Sequence, residues 1–150
     1  MLKVTTALLM LMAITSLPVF GQEKELTVFE SPEQMVAAAK EVITEIPVEE
    51  FRNIYTRDDL FIIDVRTAEE HREGAVPGAM NIPRGVLEFR IGEEKTWEST
   101  GKNQPDKDDP IIVYCGTGAR GALSAKALMQ LGYTNVKSLK GGWGAWQKTQ

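Results

Sequence analysis

Apolar residues along this chain fall into runs and stripes whose periods differ from segment to segment. An unbroken run, Leu8-Leu9-Met10-Leu11-Met12-Ala13-Ile14, stands near the start, where Lys3 is the only charge before Glu23. Met35, Val36, Ala39, Val42 and Ile43 then recur at helical spacing. Ser31 as N-cap, Pro32 in the first turn and Gln34 closing a capping box mark where that helix opens. A second short helix is expected over 48–55. Continuous apolar character returns in Leu60-Phe61-Ile62-Ile63-Asp64-Val65 and Ile111-Ile112-Val113-Tyr114-Cys115, and Val136 to Leu139 is a shorter third strand candidate. Such runs suit strands covered on both faces. Between the last two, Leu123, Ala127, Leu128 and Leu131 form a helical stripe ended by Gly132, which makes a strand-helix-strand unit. The predicted fold class is therefore α/β: a mostly parallel central sheet flanked by helices. Residues 92–110, polar and acidic with Gly92, Gly101, Pro105 and Pro110, read as a long surface loop.

Composition limits the alternatives. With 150 residues, 43% hydrophobic and 25% charged, the chain suits one compact domain. The first apolar run is short for a membrane span and is interrupted by Thr15, Ser16 and Pro18, while Val19-Phe20-Gly21 offers a cleavage junction. We therefore expect a signal peptide over 1–21, an N-terminal helical extension over 22–45 and the main domain over 46–150. The mature chain would keep 129 residues, with 16 basic against 21 acidic side chains. That acidic balance argues against nucleic acid and anionic membranes as partners, and no stable membrane insertion is expected once the leader is removed. Export also changes the meaning of a lone cysteine, because in an oxidising compartment cysteines usually pair and this one has no partner within the chain.

That cysteine, Cys115, stands where a strand hands over to a helix, in the run Cys115-Gly116-Thr117-Gly118-Ala119-Arg120. The first turn of a helix carries unpaired N–H groups and partial positive charge, which favours the thiolate, the reactive form. Gly116 and Gly118 can adopt conformations that turn successive amides into one anion-binding concavity, and Arg120 adds a forked cation. Read as a site, Gly116, Thr117, Gly118, Ala119 and Arg120 bind an anion and Cys115 attacks it. The structural alternative is a buried core thiol; the loop and its position at a strand end argue for function. One cysteine and one histidine fall short of a usual zinc site, so no metal is expected.

Four motifs stand in order: Asp64-Val65-Arg66 with Glu69-Glu70-His71; Gly74-Ala75-Val76-Pro77-Gly78-Ala79-Met80-Asn81-Ile82-Pro83; Ile112 through Arg120; and Gly141-Gly142-Trp143-Gly144-Ala145-Trp146. From about Ile46 to Trp146 the chain resembles the rhodanese-like sulfurtransferases. The resemblance implies a single rhodanese-like domain that needs no cofactor. Cys115 would take the sulfane sulfur of a donor such as thiosulfate as a persulfide and pass it to cyanide or a thiol. Partners would be a small sulfur donor and a thiophilic acceptor, with a sulfur-relay protein as a further candidate; the leader points to a bacterial periplasm. Arg120 would hold the donor's oxyanion end. Asp64 and Arg66 match a recurrent pair that supports the site, or else form an ordinary ion pair at a strand end. Two positions depart from the family pattern: Ala75 where a histidine is common, and His71 where an aromatic is common. A Cys/His pair would require the fold to bring His71 to Cys115. Two other function classes remain, a sulfur carrier or binding module loaded by partners, and a cysteine phosphatase or arsenate reductase. The last is disfavoured because those enzymes place five residues between cysteine and arginine and this chain has four. Trp143 and Trp146 read as packing residues.

Overall fold

Five short segments form one sheet in which every pairing is parallel. They are β1 (Thr44–Ile46), β2 (Phe61–Asp64), β3 (Met80–Asn81), β4 (Ile111–Tyr114) and β5 (Val136–Leu139), in the order β1-β5-β4-β2-β3. The computed structural model describes residues 26–149. The segment expected to be a signal peptide, 1–21, lies outside the described residues. Helices α1 (Pro32–Lys40), α2 (Val48–Arg52), α3 (Ala68–Arg72), α4 (Leu87–Arg90), α5 (Glu94–Trp97), α6 (Ala119–Gln130) and α7 (Gly142–Gln147) connect and cover the strands.

The central strands β2 and β4 are buried at every residue, which is why their sequences are apolar without alternation. Side chains along a strand still point to opposite faces, and the core divides accordingly. Ile63, Val65, Val113 and Leu128 pack on one side with Ile82 and Leu87. Ile62, Ile112, Tyr114 and Leu139 pack on the other with Phe51 and Trp146. Trp146 lies 5.4 Å from the Phe51 ring and 4.9 Å from Tyr55, as a packing residue should.

Three expectations need correction. Ser31 caps α1 by accepting the Gln34 N–H at 3.3 Å, but the Gln34 side chain takes the N–H of Glu30, one residue before the cap, so the reciprocal box is offset. That helix ends at Lys40, short of Val42 and Ile43. The β-branched run Val42-Ile43-Thr44 ahead of Pro47 favours extended chain, and 44–46 add an edge strand beside β5. The segment 32–46 is thus continuous with the sheet, and α1 packs on α6. Residues 92–110 are not wholly a surface loop. They contain α5, and Trp97 is only 2% exposed, its ring edge-on to Phe61 at 5.2 Å and its Nε1 donating to the Ile91 carbonyl. A single aromatic among polar neighbours has no period by which to be recognised.

Candidate active site

Cys115 follows β4 at the carboxyl edge of the sheet and is 1% exposed. Its Sγ accepts a hydrogen bond from the Gly118 N–H at 3.1 Å. Gly118 is the N-cap of α6, with φ +104, a conformation that a side chain would strain. The loop is held from behind by α7: Trp143 N–H donates to the Cys115 carbonyl at 2.7 Å and Gly144 N–H to the Gly116 carbonyl at 2.9 Å. In a trans peptide the C=O and the next N–H point in opposite directions. Fixing those two carbonyls on α7 therefore turns the N–H groups of Gly116 and Thr117 the other way. Among the described residues no protein acceptor takes them. The N–H groups of Ala119, Arg120 and Gly121, in the first turn of α6, have no intrahelical acceptor either. The loop from Gly116 to Arg120 thus carries one amide, that of Gly118, on the thiol and further amides without protein acceptors beside it, with Thr117 and Ala119 exposed.

Close approach of α7 depends on Gly142, whose φ is +58. A Cβ placed there would lie 2.2 Å from the Cys115 carbonyl oxygen. Gly121 likewise brings α6 against β4 and β5, since a Cβ there would stand 2.9 Å from Ser138 Oγ and 3.5 Å from Tyr114 Cα.

Arg120 does not stand free. Its two terminal nitrogens donate to Glu70 at 2.9 and 2.7 Å, a bidentate pair. Glu70 is fixed in turn by a capping box at the start of α3: its N–H donates to Thr67 Oγ1, and its carboxylate accepts the Thr67 N–H at 2.9 Å. The Arg120 hydrogen bond, helped by the Thr67 N–H, pulls the Glu70 carboxyl down to about 2. Arg120 is raised above its usual value chiefly by Glu70, with a smaller contribution from the neighbouring Cys115. Thr67-x-x-Glu70 is a readable capping-box signal in the sequence, but nothing local in it points to Arg120.

Asp64 and Arg66 belong to a hydrogen-bonded network at the end of β2, where Asp64 lies in register with Tyr114, the residue before Cys115. Asp64, fully buried, accepts from Arg66 N–H at 3.0 Å, from Arg66 Nη2 at 2.7 Å and from Tyr114 Oη at 3.0 Å. His71 Nδ1 lies 2.8 Å from the same carboxylate. Burial alone raises the Asp64 carboxyl, but hydrogen bonds from Arg66 and His71 outweigh it and hold the group below the usual carboxylate range. The Arg66 guanidinium also donates to the Gly74 carbonyl and sits over the rings of Trp143 at 4.9 Å and Tyr114 at 5.6 Å. Tyr114 Oη accepts the Val76 N–H, which ties the loop after α3 to β4. His71 is thus engaged by Asp64, and among the described residues no hydrogen bond joins it to Cys115. Trp143, expected only to pack, also holds the Cys115 carbonyl through its N–H and covers Arg66 with its ring.

No three His, Cys, Asp or Glu side chains converge as metal ligands among the described residues. A cavity of about 410 Å³ lined by Tyr55, Phe61, Trp97 and Lys102 includes no cradle residue.

Against known proteins, the model of the rhodanese-like domain matches residues 47–149. The thiosulfate:glutathione sulfurtransferase of Homo sapiens is 28% identical over 104 residues, covering 67% of this chain and 90% of that protein. Among solved structures, a human single-domain sulfurtransferase superposes with a TM-score of 0.64 at 27% identity, over 71% of this chain and 96% of the other. A Rhodopseudomonas palustris protein of unknown function, labelled a possible tyrosine phosphatase, gives 0.67 at 26% identity, over 85% and 96%.

Proposed function

The chain belongs to the rhodanese-like domain family, and from that membership and the geometry around Cys115 we propose that it moves sulfane sulfur through a Cys115 persulfide. The Cys115 thiolate attacks the outer sulfur of a donor such as thiosulfate. The donor's S–S bond breaks with its electron pair on the departing sulfite, and the new S–S bond leaves an anionic persulfide on Cys115. Attack by cyanide or a thiolate on that outer sulfur regenerates the thiolate. Splitting the transfer in two replaces one difficult step by two easier ones. The single observation that carries this reading is the Gly118 N–H on Sγ within a loop whose carbonyls are tied to α7. Amides already aimed at an anionic sulfur need no reorganisation during reaction.

The phosphatase reading is weaker because four residues between Cys115 and Arg120 make a small concavity, and because Arg120 is already bonded to a carboxylate. A carrier loaded by a partner protein would use the same persulfide with slow turnover on small donors. The proposal includes export after cleavage at Gly21, which the N-terminal sequence of the protein recovered from cells would test. The chemical test is intact mass spectrometry before and after thiosulfate, then cyanide. The expected result is a gain of one sulfur, lost on cyanide addition with thiocyanate released, and neither event in Cys115→Ser. Sulfur gained by the folded Cys115→Ser variant would overturn the mechanism.

A further inference from the structure

The cradle's one arginine is electrically spent. Arg120 brings one positive charge to the mouth, and Glu70 cancels it through two short hydrogen bonds while its own carboxyl stays ionised down to about pH 2. A Cys115 thiolate would then leave the immediate site with one net negative charge before any donor arrives. Glu70 is not a stray surface partner: the Thr67 capping box fixes its carboxylate from the other side, so the fork of Arg120 is held in place rather than free to swing. Nη2 of Arg120 also faces the loop, 3.6 Å from where a Gly116 Cβ would stand, so a donor touching that nitrogen is one guanidinium away from the carboxylate. The backbone amides of the cradle carry partial charges only.

We propose that Glu70 sets the charge of the sulfur donor, disfavouring a dianion such as thiosulfate relative to a monoanionic thiosulfonate or persulfide. This rests on the sulfur-transfer reading above. The chemistry is the same for both donor classes. From a thiosulfonate, R–SO2–S⁻, the Cys115 thiolate takes the outer sulfur as the anionic persulfide, and the S–S electron pair leaves on the sulfinate R–SO2⁻. Glu70 touches no reacting atom; it is a positioning residue that acts through Arg120 and through its own field.

The test compares thiosulfate with methanethiosulfonate, in which a methyl group replaces one charged oxygen. Thiocyanate formation in the presence of cyanide gives kcat and KM for the wild type and for Glu70→Gln, which keeps the side chain's shape and one acceptor for Arg120. Because Coulomb energy scales with donor charge, removing the carboxylate charge should lower KM for thiosulfate by about tenfold and for methanethiosulfonate by about threefold, with kcat less affected. A merely structural role would move both donors equally. Equal changes, or a rise in KM for thiosulfate, would overturn the proposal. Should Glu70→Gln fail to fold, the wild type supplies the second measurement. Salt screens repulsion, so kcat/KM should rise more for thiosulfate than for methanethiosulfonate as ionic strength increases, and a flat or opposite response sinks the idea. No thiocyanate from the wild type with either donor removes the sulfur-transfer reading and this inference with it. Thiocyanate with an unshifted donor ratio removes the inference alone.

Discussion

Gly142→Ala should dismantle the cradle without unfolding the domain. The position has φ +58, and its new Cβ would lie 2.2 Å from the Cys115 carbonyl oxygen and 3.0 Å from the Gly116 carbonyl carbon. Left-handed backbone costs an L-residue about 1–2 kcal/mol. The clash also forces apart the 2.7 Å hydrogen bond from Trp143 N–H to Cys115, a loss of about 0.5–1.5 kcal/mol. Together these give roughly 1.5–3.5 kcal/mol, against a typical domain stability of about 5–15 kcal/mol. Urea denaturation should therefore show a lower midpoint with an unchanged slope. The larger effect falls on chemistry, because releasing the Cys115 carbonyl loosens the loop that presents the Gly118 N–H to the sulfur. A misplacement of about 1 Å can cost about 100-fold in rate, so persulfide formation followed by rapid-quench mass spectrometry should slow by about that factor. Gly144→Ala is the control: its Cβ would meet the Gly116 carbonyl oxygen at 3.4 Å, an ordinary contact. Alanine is also the better helix residue, so stability there should change by less than about 1 kcal/mol. Wild-type stability and rate in Gly142→Ala would refute the claim that α7 holds the cradle's carbonyls.

Tyr114→Phe removes the hydroxyl that joins the Val76 N–H to Asp64, leaving a buried donor unpaired. The expected cost is about 1–3 kcal/mol by urea denaturation, and an unchanged midpoint would mean that the network does not brace the 74–76 loop. Acid stability follows from the carboxylates. Glu70 in the folded state titrates near 2, below its ordinary 4.5, so its contribution is fully present above pH 4.5 and is lost as pH falls towards 2. Asp64 is shifted in the same direction and adds to the same acid-side loss. The urea midpoint should decline below pH 4.5, and Glu70→Gln should flatten that decline modestly, since the pair is partly exposed to solvent. An identical pH profile in the variant would remove Glu70 from this account.

The centre of this protein is legible in its local residue patterns. β2 and β4 carry contiguous apolar runs, α6 an apolar stripe at helical spacing and β5 a short candidate after it, and the strand-to-helix position of Cys115 with its glycines follows from local chemistry. The peripheral elements were not legible, and each for a physical reason. β1 and β3 span three and two residues and exist only because β5 and β2 pair with them. Trp97 is buried because Phe61, 36 positions earlier, waits beneath it. Two decisive features of the site belong to tertiary structure. Glu70 reaches Arg120 across 50 positions, and α7 holds the carbonyls of Cys115 and Gly116 from further down the chain. Local sequence can specify a turn, a cap or a buried strand, because those depend on neighbours along the backbone. Which charge meets Arg120, and which amides fix the loop behind Cys115, depend on groups brought together only when the sheet is formed.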